Sequence, residues 1–114
     1  MGQSMVSNEG EGKYVVVLIT APPNAADSIA RNLVERKLVA CVNVVRNVTS
    51  IYWWEGKVVK DNESLLVCKT KQGLLHELMD YIKEIHPYAV PEIIALNISL
   101  GNPEYLKWVE GSTK

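Results

Sequence analysis

The sequence predicts an α+β domain, an antiparallel sheet with two helices laid across one face. Three observations carry this expectation. Four short runs rich in β-branched residues, at 14–21, 38–45, 65–70 and 92–100, have the character of strands. Two intervening stretches repeat apolar residues at helical spacing. Proline and glycine fall between these segments or at their ends.

Each element follows from its residues. Tyr14-Val-Val-Val-Leu-Ile-Thr-Ala21 is apolar, ends at Pro22-Pro23, and reads as a central strand. Asn24 with Asp27 three residues on marks a helix start, the Asn capping and the Asp suiting the first turn. Ala26, Ile29, Ala30, Leu33 and Val34 then form an apolar stripe to about Lys37. Residues 38–45 are the second strand, which 49–54 continue beyond an irregularity at Arg46-Asn47. Glu55-Gly56 is a two-residue turn, so 57–60 run back antiparallel. Residues 65–70 make the third strand. Gln72-Gly73 opens a helix with Leu74, Leu75, Leu78, Met79, Ile82 and Ile85 on one stripe. It must stop near Ile85, because Pro87 disfavours helical geometry at His86. Pro91 precedes the fourth strand, 92–100, and Gly101-Asn102-Pro103 leads into a short helix over 104–110. The order βαββαβ is that of a ferredoxin-like sandwich, with an extra C-terminal helix.

Composition narrows the function. Of 114 residues 47% are hydrophobic and 22% charged, as in an ordinary globular domain. The formal charge of -1 argues against a nucleic-acid partner, which calls for a basic surface. No apolar run reaches the eighteen or so residues of a membrane span. Residues 1–13 are polar and glycine-rich, lack the apolar stretch of a signal peptide, and read as a disordered tail before a single domain at 14–114. Two cysteines, Cys41 and Cys68, are too few for a disulfide framework. Together these features point to the cytoplasm.

The patterning asks for more than a monomer. A sheet with helices on one face only should alternate apolar and polar residues. Val15, Val16, Val17, Leu18 and Ile19 instead put large side chains on both faces, and Leu65-Leu66-Val67-Cys68 repeats the problem. Tyr52, Trp53 and Trp54 are consecutive on a two-stranded ribbon, so neighbouring rings point to opposite sides. Such a ribbon is marginal alone. The expectation is that the hairpin and the second sheet face lie against another copy of the chain.

Several segments carry a resemblance. Leu38-Val-Ala-Cys-Val-Asn43, Thr49-Ser-Ile-Tyr-Trp-Trp-Glu-Gly-Lys57, Lys69-Thr70, His86-Pro-Tyr-Ala-Val-Pro-Glu-Ile93 and Tyr105-Leu-Lys-Trp108 stand in this order. Together they resemble the CutA divalent-cation-tolerance family over about residues 14–110. The resemblance implies a ferredoxin-like fold in a homotrimer similar to the PII proteins, built through sheet faces and the Tyr52, Trp53, Trp54 hairpin. It also implies a link to copper and other divalent cations. Some bacterial members have a Cys at the end of the first strand, beside the His and Glu of the HPY…PE segment; here that position is Ile19.

The chemical candidates follow. His86 and Glu92 are the residues for a weakly held Cu²⁺ or other divalent cation, an imidazole with a carboxylate suiting borderline ions. The competing role for His86 is a hydrogen bond at a helix end. Extending the hairpin register from Trp54 and Lys57 places Cys68 opposite Asn43 and diagonal to Cys41 on one face, unless a bulge near Arg46 breaks it. A two-thiolate copper(I) site competes there with two small buried apolar side chains. Lys69, Tyr88, Tyr105 and Trp108 are candidates for an inter-subunit cleft, and His76 reads as surface. No nucleophile and base stand in a recognisable pattern. The expected function is therefore that of a trimeric, metal-responsive binding or signalling protein, not an enzyme. The alternative is a PII-like sensor taking a small anionic ligand near Lys69.

Overall fold

A computed structural model describes residues 13–114 and the strand Val6–Ser7. The elements are β1 (Val6–Ser7), β2 (Tyr14–Ala21), α1 (Pro23–Glu35), β3 (Cys41–Trp54), β4 (Lys57–Lys71), a 3-10 turn (Gln72–Leu74), α2 (Leu75–Ile85), β5 (Ile93–Asn97), β6 (Leu100–Gly101) and α3 (Pro103–Gly111). The expected tail at 1–13 lies largely outside the described residues; within it, Val6 and Ser7 pair antiparallel with Gly101 and Leu100.

Four strands form one antiparallel sheet in the order β3-β4-β2-β5. With helices following β2 and β4, this is the ferredoxin-like arrangement that the element pattern predicts. Alternation along the strands sorts the side chains. Val15, Val17, Ile19 and Ala21 of β2, with Leu66 and Cys68 of β4, meet Ala26, Ile29 and Leu33 of α1 and Leu78 and Ile82 of α2 in one buried core. The opposite sheet face is only partly covered. Leu106 and Val109 of α3 pack with Tyr14 and Ala40 at one end of it.

Beyond α3 that face stays open. Leu96 pairs with Val16 and Ile94 with Leu18 across β2 and β5, and Ile94 and Leu96 remain exposed. The hairpin extends past the helices and is more open still. Trp53 is 73% and Trp54 59% exposed, so neither ring packs under the core of its own chain.

The second strand begins at Cys41 rather than at residue 38, and four further details differ from the sequence reading. The first helix begins at Pro23 with Pro22 as its cap residue, and no Asn24 side chain caps it. A proline at the first helical position has its φ preset and lacks an N–H that would need a partner, so no capping oxygen is required. Residues 57–60 and 65–70 belong to one strand, because Asp61, Asn62 and Glu63 all find partners on β3. The last sheet strand ends at Asn97, opposite Val15, because β2 begins one residue earlier at Tyr14.

The last of these decides a site. Trp54 pairs with Lys57 as expected, but the register shifts between Val45 and Val48, where Asn47 adopts a φ of 60°. Cys68 therefore faces Val42, and Cys41 faces Lys69. The one-residue slip puts the two thiols on opposite faces of the sheet. A shared two-thiolate copper(I) site is excluded by this geometry.

Candidate functional site

The root of the hairpin, the end of β2 and the segment 86–92 converge at one end of the open face. Pro87 holds His86 in extended geometry, with φ -78° and ψ 136°, and so ends α2. The His86 ring then turns inward and is buried. Its Nε2–H donates to the Thr20 carbonyl at 2.8 Å, and its Nδ1 accepts the Tyr88 N–H at 3.1 Å. Because an amide can only donate, this pairing fixes the Nε2–H tautomer. The Tyr88 ring lies 4.8 Å from the His86 ring.

From this anchor the polar groups fan out. The Tyr88 hydroxyl donates to Glu63 Oε2 at 2.8 Å, and the Thr20 hydroxyl donates to Glu92 Oε1 at 3.3 Å. The Tyr52 hydroxyl donates to Asp61 Oδ2. Burial, followed by the bond to Glu63, pushes the Tyr88 phenol well above its ordinary value. Tyr52 is also raised, chiefly by the bond to Asp61. Both phenols stay protonated and act as donors at neutral pH. Together these groups frame a cavity of about 570 Å³, lined by Thr20, Tyr52, Trp54, Asp61, Glu63, Tyr88, Ala89, Val90 and Glu92.

The expected residues are distributed as follows. His86 and Glu92 both touch Thr20, one at its carbonyl and the other at its hydroxyl. As folded, however, His86 does not fit a cation, since neither ring nitrogen keeps a free lone pair. Among the described residues no three His, Cys, Asp or Glu side chains gather closely enough to hold a metal ion. Ile19 is fully buried in the helix-side core.

Lys69, Tyr105 and Trp108 gather elsewhere, around Cys41. Cys41 Sγ lies 3.5 Å from the Tyr105 hydroxyl, and the Tyr105 and Trp108 rings are 5.5 Å apart. Lys69 Nζ donates to Asn43 Oδ1 and, at 3.4 Å, to the Val67 carbonyl. Lys69 lies six positions along β4 from Glu63, about 20 Å at the usual rise, so Tyr88 shares no cleft with the other three within one chain. Burial, then the contact with Cys41, raises the Tyr105 phenol to about 12. Burial likewise pushes the Cys68 thiol up to about 12. His76 lies exposed on α2.

Asp61, Glu63 and Thr20 were not singled out by sequence reasoning. The available signal was Asp61 and Glu63 two apart, which on a strand share a face. It has meaning only once β4 is known to run through them.

An antiparallel sheet with one apolar face exposed and an aromatic cavity at its edge defines a small α+β domain of the ferredoxin-like class. The family model described as "CutA1 divalent ion tolerance protein" matches residues 15–112. The chain is 52% identical over 99 residues to "Divalent-cation tolerance protein CutA" of Thermus thermophilus, covering 86% of this chain and 96% of that one. It is 50% identical to "Protein CutA homolog" of Xenopus laevis, with 86% of this chain covered, but spans only 66% of that relative's length. It spans 57% of a rice relative, "Protein CutA 1, chloroplastic", to which it is 46% identical over 88% of this chain. The crystal structure of CutA1 from Oryza sativa superposes with a TM-score of 0.88 at 45% identity, covering 91% of this chain and 96% of that one. The chain belongs to the CutA1 divalent ion tolerance family.

Proposed function

We propose that this chain works as a homotrimeric binding protein in the response to divalent cations, without catalytic chemistry of its own. The observation that carries the assembly is the open sheet face with the exposed Trp53-Trp54 hairpin, more apolar surface than a monomer keeps in water. The link to cations rests on the Thermus relative, whose name describes divalent-cation tolerance. No helix among the described residues is long and apolar enough to cross a membrane, and the proposed setting is the cytoplasm.

Copper is the leading cation on general grounds, being first among the divalent ions of its row. His86 and Glu92 supply the donors in this reading. The imidazole must first give up the Tyr88 N–H or the Thr20 carbonyl, so binding is weak. Support for a binding protein over an enzyme is that no nucleophile is held against a base among the described residues. Among the described residues, the side-chain contact of Cys41 is with a phenol, and His86 bonds only to backbone. A sensor taking an anion beside Lys69 has less support, because that amine is already engaged by Asn43 and the Val67 carbonyl.

Calorimetric titration of Cu²⁺ into the wild type and His86→Ala tests the metal reading. A weaker interaction in the variant is expected; equal affinity removes His86 as a donor. Glu92→Gln, at an exposed position, provides the same comparison should His86→Ala unfold.

A further inference from the structure

Alternation along β4 puts Glu63, Leu65, Val67 and Lys69 on one face of the sheet, with Leu66 and Cys68 turned into the helix-side core. Across β2 this face continues through Leu18, opposite Val67, and Val16, opposite Lys69. The open face is an apolar strip with an acid at one end and a base at the other. The two lie six positions apart on the strand, about 20 Å, too far to meet within one chain.

Neither charge is balanced within its own chain. Glu63 is 6% exposed, and its bonded partner is the neutral hydroxyl of Tyr88. Asp61 and Glu92 add negative charge around the adjoining cavity, which no lysine or arginine lines. Lys69 is half-buried, and its amine is held by two neutral oxygens, Asn43 Oδ1 and the Val67 carbonyl. An ammonium has three N–H groups, so one remains to donate. Among the described residues no ion pair includes either side chain. Covering this face with another copy takes both charges further from water, which is costly unless each meets its opposite.

Opposite charges at the two ends of one face match head to tail, whereas like ends would set carboxylates against carboxylates. A head-to-tail contact is heterologous, and repeated through a rotation that closes it gives a ring. We infer that Glu63 of each copy pairs with Lys69 of the next. Each junction is then built from the Glu63–Tyr88 end of one chain and the Lys69–Cys41–Tyr105 end of another. The inference rests on the assembly reading, and adds to it the polarity of the contact and the pair of residues that sets it.

Carbodiimide treatment of the wild-type protein condenses a carboxylate and an amine already in contact into an amide, with loss of water. A Glu63–Lys69 amide, found by peptide mass spectrometry in covalent species of two and three chains, is expected. The separation within one chain means that such a link can only join two copies. Glu63 linked instead to a different lysine overturns the pair. Light scattering on dilution reads the strength of the contact. Glu63→Gln keeps an acceptor for Tyr88, and Lys69→Met keeps the stem without the charge. Each should raise the concentration at which the particle dissociates at least tenfold, with unchanged far-ultraviolet dichroism. The double variant should lose little more than either single one, because the pair is already broken. Losses that multiply in the double variant, or folded variants that dissociate at the wild-type concentration, overturn the pair and leave the trimer standing. Should a variant fail to fold, the wild-type link decides, and its absence from an assembled sample overturns the pair. A wild type that stays monomeric, or stops at two chains, overturns the assembly reading and the ring together.

Discussion

His86 shows how one side chain can hold two elements together. Its two nitrogens tie the end of β2 to the segment after α2, through the Thr20 carbonyl and the Tyr88 amide. His86→Ala leaves both backbone groups without partners in a part-buried place. The expected cost is roughly 1–3 kcal/mol per orphaned group, read as a lower urea midpoint; an unchanged midpoint would show that solvent reaches both. A second residue-scale consequence concerns alkali. Burial lifts the Cys68 thiol from 9.0 to about 12, and Tyr105 rises from 10.0 to about 12, also through burial first. Above pH 9 the unfolded chain loses protons that the folded chain retains. Stability therefore falls as pH rises from about 9 towards 12, while the contribution is fully present below 9. Melting temperatures recorded between pH 8 and 11 should decline through that window, and Cys68→Ala should flatten the first part of the decline.

At the scale of elements, the hairpin turn is set by two residues. Glu55 and Gly56 have φ of 50° and 77°, which matches the twist of a tight two-residue hairpin. A methyl group at Gly56 would meet nothing within 4 Å, so Gly56→Ala isolates the conformational cost. About 1 kcal/mol of destabilisation is expected in chemical unfolding, and none would mean that the turn relaxes freely. This turn was legible in the sequence because it rests on one local residue requirement. The strand and helix order was legible for the same reason, since periodicity is a local property. The bulge was only half legible. The irregular place at Arg46-Asn47 could be named, but its one-residue shift is set by which β4 residues each side of it can pair, a tertiary matter. That shift alone moved Cys41 and Cys68 to opposite faces. Likewise Asp61-Asn62-Glu63 reads as a polar break, yet pairing with β3 carries the strand through it and delivers Glu63 to the cavity. The imidazole of His86 was identifiable as a donor; that both nitrogens would already be used depends on Thr20, 66 residues away in the chain.

For the whole molecule the open face is the dominant feature. Val16 and Leu18 are half-buried there, while Ile94, Leu96 and Val45 are exposed. The hairpin adds Trp53, which contacts nothing that hides it. A single chain of 12.7 kDa that exposed this much apolar surface would be prone to associate without limit, unless closed symmetry satisfies it. The trimer proposed above provides such closure, and it can be tested apart from folding. Leu96 is 50% exposed and points away from the helix-side core, so Leu96→Lys should leave the monomer folded while placing a charge in the covered face. Trp53→Ala removes the most exposed ring of the hairpin and should weaken assembly by several kcal/mol, the usual scale for truncating an aromatic anchor. Light scattering of the wild type at micromolar concentration should give three times the mass of one chain. Leu96→Lys should give a smaller particle with native far-ultraviolet dichroism, and Trp53→Ala one that dissociates on dilution. A wild type that remains a stable 12.7 kDa monomer would sink the trimer outright. Variants that stay trimeric would move the interface off this face.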